Sequence, residues 1–179
     1  ACLGRDGYAA TSLARVADEA GVSKRMVLYY FDSRETLFVE LTRSIGERIL
    51  AILRESVAGI EDPAVVVQKG FETVWEALTA DGGLLIALFG VTTESVTDDR
   101  LSDAVDELND GMREILLAQL ADARENGRKI VVDDEVAVTA MIAGFNGLLY
   151  EWLLRGDTDD LAGAIKGYQT LIASLAPDA

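Results

Sequence analysis

The sequence contains no histidine, a single cysteine and two prolines. Without histidine, the commonest general base and metal ligand is missing. The lone Cys2 excludes an intramolecular disulfide and any multi-cysteine metal site, and it fits a reducing compartment. Scarce proline alongside long apolar stretches favours helix over sheet. No uninterrupted apolar run reaches the roughly 18 residues of a membrane span, and no signal peptide is visible. No glycine-rich phosphate loop or nucleophile elbow occurs. Asp98-Asp99 and Asp133-Asp134 read as helix caps, not as catalytic carboxylate pairs. The expectation is a cytoplasmic chain that is not an enzyme and needs no cofactor, metal or membrane. It starts at Ala1 instead of Met, so further residues are expected upstream.

Charge is present in quantity but unevenly spread. The formal net charge is −15, with 16 Lys/Arg against 31 Asp/Glu. Residues 1–48 are balanced, with seven of each sign, and the whole excess of acid lies in residues 49–179. Such asymmetry points to different partners for the two parts. An acidic body opposes indiscriminate adhesion to nucleic acid, but it leaves room for a neutral or basic tip. At physiological salt, charges more than about 8 Å apart are largely screened from each other.

Apolar residues recur at helical spacing nearly throughout. Leu13, Val16, Ala17 and Ala20 follow i, i+3, i+4, i+7. Ser12 or Thr11 caps that helix and Gly21 ends it; Ser23 caps the next, which runs to Phe31. Asp32, with Glu35 three residues on, reads as the cap of a long helix over 34–58. Asp62-Pro63 opens another, ending near Ala80. Further helices are predicted over 84–91, 98–126, 134–155 and 159–175. The stretch RKIVV, 128–132, is the one strand-like run. The layout is all-α, with short helices, one long connecting helix and then a helical bundle.

The segment AGVSKRMVLYYF, residues 20–31, has the grammar of a helix-turn-helix. Gly21 permits a corner that a Cβ would resist. Val22 is expected beneath Val16 and Val27 in a small core. Spacing turns Lys24, Arg25, Leu28 and Tyr29 outward and Val27, Tyr30 and Phe31 inward. Arg25 suits a two-bond contact to guanine, while the hydroxyls of Thr11, Ser12 and Ser23 suit phosphate oxygens. On spacing alone, a plain corner between packed helices with a solvated cationic face remains the alternative.

The stretch GYAATSLARVADEAGVSKRMVLYYFDSRETLF resembles the DNA-binding domain of TetR-family transcriptional regulators. The shared pattern comprises Gly7-Tyr8, Thr11, Val16-Ala17, Ala20-Gly21-Val22-Ser23, Tyr29-Tyr30-Phe31 and Ser33-Arg34-Glu35. The resemblance implies that Lys24, Arg25 and Met26 read bases. It puts Tyr30 at a phosphate, against the inward placement from spacing, and makes Thr11 and Arg34 phosphate contacts. Leu28 departs from the usual tyrosine, and Arg25 stands where a small residue is common. The start of the family's first helix lies before this chain. The implied architecture is an N-terminal helix-turn-helix domain, 1–48, joined by a long helix to an effector-binding and dimerisation domain, 49–179.

In that second part the resemblance implies a small-molecule pocket and a four-helix homodimer interface made by the last two helices. Apolar candidates for the pocket are Phe71, Trp75, Leu85 and Phe89, with Met112, Met141 and Phe145. Asn146, polar in an apolar run, is either a ligand anchor or a structural hydrogen bond. Ala137, Ala140, Gly144 and Gly147, with Glu151 beyond them, form a small-residue side suited to close helix approach. Large residues on the other side imply a helix buried on two sides. The resulting expectation is a homodimeric, ligand-responsive regulator, most often a repressor, that leaves a palindromic operator in double-stranded DNA when a small molecule binds. The alternative is a helical sensor or dimerisation protein whose reading head is impaired.

Overall fold

The computed structural model describes residues 2–60 and 62–177, excluding the side chains of Cys2, Leu3, Arg5, Ala9 and Pro63. The reading of the Cys2 thiol therefore lies outside the described residues. Among the described residues nine helices follow one another: α1 Cys2–Ala10, α2 Leu13–Ala20, α3 Lys24–Phe31, α4 Arg34–Val57, α5 Pro63–Thr79, α6 Gly82–Ser95, α7 Asp99–Glu125, α8 Asp134–Arg155 and α9 Asp159–Ala173. The same residues include no strand. The strand-like run instead lies extended beside the chain's end: the Lys129 and Val131 amides donate to the Pro177 and Leu175 carbonyls at 3.4 and 3.1 Å.

Local chemistry explains most of the boundaries. The first amides of a helix lack partners, and short oxygen-bearing side chains supply them. Ser12 accepts from the Arg15 amide, Ser23 from Met26, Asp81 from Gly83 and Thr158 from Leu161. Asp133 accepts from both Glu135 and Val136. At the other ends, Gly21, Gly127 and Gly156 take φ of 67°, 85° and 69°, a region that favours glycine. The start of α4 differs from expectation. Ser33, not Asp32, caps it, accepting from the Thr36 amide at 3.0 Å. Asp32 instead closes α3 at φ 52°, a backbone that asparagine and aspartate tolerate best among residues with a side chain. The helix expected at 84–91 is longer at both ends, Gly82–Ser95, with Asp81 capping its earlier start.

Two compact units divide the chain. The first takes residues 1–49 and 78–109; the second takes 50–77 and 110–179. The division by contacts is not the single cut after residue 48 expected from the sequence: the first unit runs through Ile49 of α4 and also includes α6 and the start of α7. In the first, Tyr8, Phe38, Ala87, Val91, Leu101 and Val105 form one buried cluster. There α1 meets α6 through two glycines. A Cβ on Gly83 would lie 3.4 Å from the Gly4 Cα, and one on Gly4 would collide with the Gly83 backbone. In the second, Leu120, Ala137 and Val138 are buried together, with Ile130, Ile142 and Leu175 packed against them.

Candidate nucleic-acid interface and effector region

The turn between α2 and α3 is closed by two backbone bonds, Gly21 amide to Asp18 carbonyl and Val22 amide to Ala17 carbonyl. Ala17 and Val27 are buried beneath it, at 2% and 5% exposure. Val22 does not join them as expected; it stays 37% exposed, at the turn that its amide helps to close. The outer surface of α3 carries Lys24 and Arg25, both exposed, and Met26 at 49%. Ser12 and Ser23 use Oγ as acceptors for their caps, which leaves each O–H free to donate outward.

Tyr29 and Tyr30 stand in the open at 81% and 71% exposure, their rings edge-to-face at 5.3 Å. The inward placement of Tyr30 from spacing is thereby corrected. An eight-residue helix resting on one small core buries a narrow stripe, and Val27 fills it. Leu28 is also at the surface, at 36%.

Two residues expected at phosphates are engaged inside. Thr11 is 1% exposed and donates its hydroxyl to the Gly7 carbonyl at 2.7 Å, so it is withdrawn from the surface. Arg34 donates Nε–H to the Thr11 carbonyl at 2.7 Å and a terminal N–H to the Tyr8 carbonyl. Its guanidinium lies over the rings of Tyr8 and Phe38, at 4.4 and 4.8 Å. Burial raises the Tyr8 phenol above its ordinary pKa, and the Arg34 charge opposes part of that rise.

In the second unit, Phe71, Trp75 and Phe145 come together. Phe71 stacks on Trp75 at 5.4 Å and meets Phe145 edge-on at 5.0 Å. Tyr168 of α9 completes the group, 5.8 Å from Phe71, and donates its hydroxyl to the Met141 carbonyl. Sequence reasoning missed Tyr168; its only sequence signal is a tyrosine in an otherwise small-residue stretch. Met112 and Met141 are half-buried in the same unit. Leu85, fully buried, and Phe89 belong to the first unit. Asn146 is exposed on α8, so it makes no hydrogen bond inside a helix packing.

The small-residue side of α8 separates into different environments. Ala137 is 1% exposed, taken up by its own unit's core, and so has no surface to offer a partner. Gly144 lies under the Tyr168 ring. Ala140 and Gly147 are exposed, while Glu151 is half-buried and paired with Arg155 at 2.9 Å. With Ala140 and Gly147 on the open face are Val136 (60%), Ala143, Tyr150 (53%) and Leu154 (60%). Positions 136, 140, 143, 147, 150 and 154 alternate steps of four and three, the spacing of a helix seam. By length and composition α8 also meets the measure for a membrane-crossing helix, as the core helix of a soluble protein does.

Residues 1–41 match the family model described as bacterial regulatory proteins, tetR family. The chain is 27% identical over 179 residues to the HTH-type transcriptional regulator TtgR of Pseudomonas putida, covering 89% of this chain and 79% of that protein. It is 26% identical over 132 residues to the HTH-type transcriptional repressor KstR2 of Rhodococcus jostii, of which it covers 64%, with 73% of this chain aligned. A TetR transcription regulator of known structure from Haloarcula marismortui superposes with a TM-score of 0.85 at 20% identity, over 98% of this chain and 92% of that one. Residues 1–41 thus carry the TetR-family match, and the chain along most of its length is similar to TetR-family regulators. For a TetR-family regulator the α2–α3 pair is the DNA-binding helix-turn-helix, and its exposed cations stand on the second helix of that motif.

Proposed function

We propose that this TetR-family regulator is a cytoplasmic homodimeric repressor that holds a palindromic operator and is released from it by a small molecule. The observation that carries the reading is the first turn of α3, where Lys24, Arg25 and Met26 are exposed behind the Ser23 cap. A helix N-terminus with free hydroxyls and two cations suits phosphates and guanine edges together. Lys24, Arg25 and Met26 are the base-reading candidates; Ser12, Ser23, Tyr29 and Tyr30 are the backbone candidates. The repressor sign follows the name of KstR2.

The open seam on α8 supports a second copy as partner. Gly163 and Gly167 of α9, with nothing within 4 Å of a built Cβ, supply room for a close approach beside it. A two-fold axis there would present two reading heads to half-sites about 34–36 Å apart. The aromatic group around Phe71 and Trp75 supports an apolar effector, which must favour the weakly binding state to cause release. By linkage, operator DNA then weakens effector affinity by the same factor.

The test is selection of duplexes from a random library with the full chain, followed by titration of the recovered duplex at increasing salt. Enrichment of a palindrome and a steep fall of affinity with salt are expected. If no sequence is enriched, the alternative of a helical sensor with an impaired head replaces this reading.

A further inference from the structure

At the α1–α2 corner two side chains donate to three backbone carbonyls. Thr11 donates to the Gly7 carbonyl, while Arg34 donates to the carbonyls of Tyr8 and Thr11. Arg34 stands in the first turn of α4, 23 residues after Thr11 and 26 after Tyr8. Two of its three guanidinium nitrogens are thus on backbone carbonyls. The third lies 3.9 Å from Glu35, and the side chain retains 26% of its accessible surface. The guanidinium carbon lies over the rings of Tyr8 and Phe38, both members of the first unit's core cluster.

We propose that Arg34 is a positioning residue that buckles the α1–α2 corner onto α4 and so fixes the seat of the reading head, rather than a residue that holds a DNA phosphate. The inference rests on the DNA-binding reading and reassigns one of its residues. A phosphate contact needs a cation directed outward, and either lysine or arginine serves. The geometry here needs a planar fork with two directed donors and a delocalised cation over two adjoining rings. Lysine has one compact charge and neither feature. Removing the fork would leave the Tyr8 carbonyl shared only with the Thr11 amide at 3.3 Å, and the Thr11 carbonyl without this donor. Those carbonyls flank the Ser12 cap, from which α2 and then α3 depart.

The experiment compares wild type, Arg34→Lys and Arg34→Gln as full chains, each shown to be folded by circular dichroism at the assay temperature. The probes are a duplex selected by wild type and a random-sequence duplex of equal length, titrated from low to high salt. Wild type must first prefer the selected duplex; failure there defeats the DNA-binding reading, not the buckle. Expected is a loss of roughly tenfold or more on the selected duplex for both variants, the scale of losing charge-assisted hydrogen bonds. Binding to the random duplex and the salt slope should stay at wild-type values. Rescue by lysine, with glutamine lowering the slope by about 0.9, identifies a phosphate contact and overturns the proposal. Wild-type affinity in both folded variants overturns it equally, because the arginine then only adds stability. If Arg34→Gln does not fold, Arg34→Lys decides alone: its affinity for the selected duplex either falls or holds.

Discussion

The ring of Tyr168 on α9 lies directly over Gly144 on α8. A Cβ on Gly144 would stand 3.0 Å from Cδ2 and closer still to Cε2. The ring cannot swing aside cheaply, because its hydroxyl is tied to the Met141 carbonyl one turn earlier.

Gly144→Ala should therefore destabilise the chain, although alanine is the better helix former by about 1 kcal/mol. Overpacking of this kind costs about 1–3 kcal/mol, so a net loss near 1 kcal/mol is expected in urea unfolding. Gly147→Ala is the control, since nothing lies within 4 Å of that position. Equal midpoints for the two variants would show that the ring yields.

Burial raises the Tyr168 pKa above its ordinary value of 10.0. The neutral phenol is favoured in the folded chain, while the unfolded chain ionises first. Its contribution is complete below about pH 10 and is lost as pH rises beyond it. Stability should begin to fall near pH 10 and go on falling as pH rises further, less steeply in Tyr168→Phe than in wild type. Parallel curves for the two proteins would remove Tyr168 as the cause.

Leu154→Glu and Val136→Glu place charges on a face that is open in the single chain, each position being 60% exposed. Neither should lower the stability of an isolated chain by more than about 0.5 kcal/mol. If this face is the seam between copies, sedimentation should show a monomer in place of a dimer. A dimer that survives both substitutions would move the interface elsewhere.

Arg25→Ala should relax preference at one base pair in each half-site, by about 1–3 kcal/mol. Lys24→Ala, if that residue also meets phosphate, lowers the salt slope as well. Repeating the duplex selection with Arg25→Ala is the check. An unchanged consensus would take Arg25 out of the base-reading set.

The helix caps were legible in the amino-acid order because they are local. Ser12, Ser23, Asp62 and Asp133 each bond an amide two or three residues away, so the sequence window that specifies the bond contains both partners. The same holds for the turn at Gly21. Where the local alternatives were close, as between Asp32 and Ser33, the outcome turned on how α3 ends, which the window does not include.

The seam on α8 was half legible. Small residues at helical spacing signalled close approach, but not to what. The folded chain assigns Ala137 to its own core and Gly144 to Tyr168, leaving Ala140 and Gly147 open. A helix apolar all round carries no mark for which side meets its own chain.

The all-helical architecture, the location of the reading head and the placing of the net acidic excess in residues 49–179 each rest on neighbours within a few positions or on composition, and the amino-acid order suffices for them. Long-range packing turns Arg34 inward, leaves Tyr30 outside and brings Tyr168 into the aromatic group. Those outcomes depend on contacts between residues more than 20 positions apart and on which narrow stripe of a short helix finds a core to cover it.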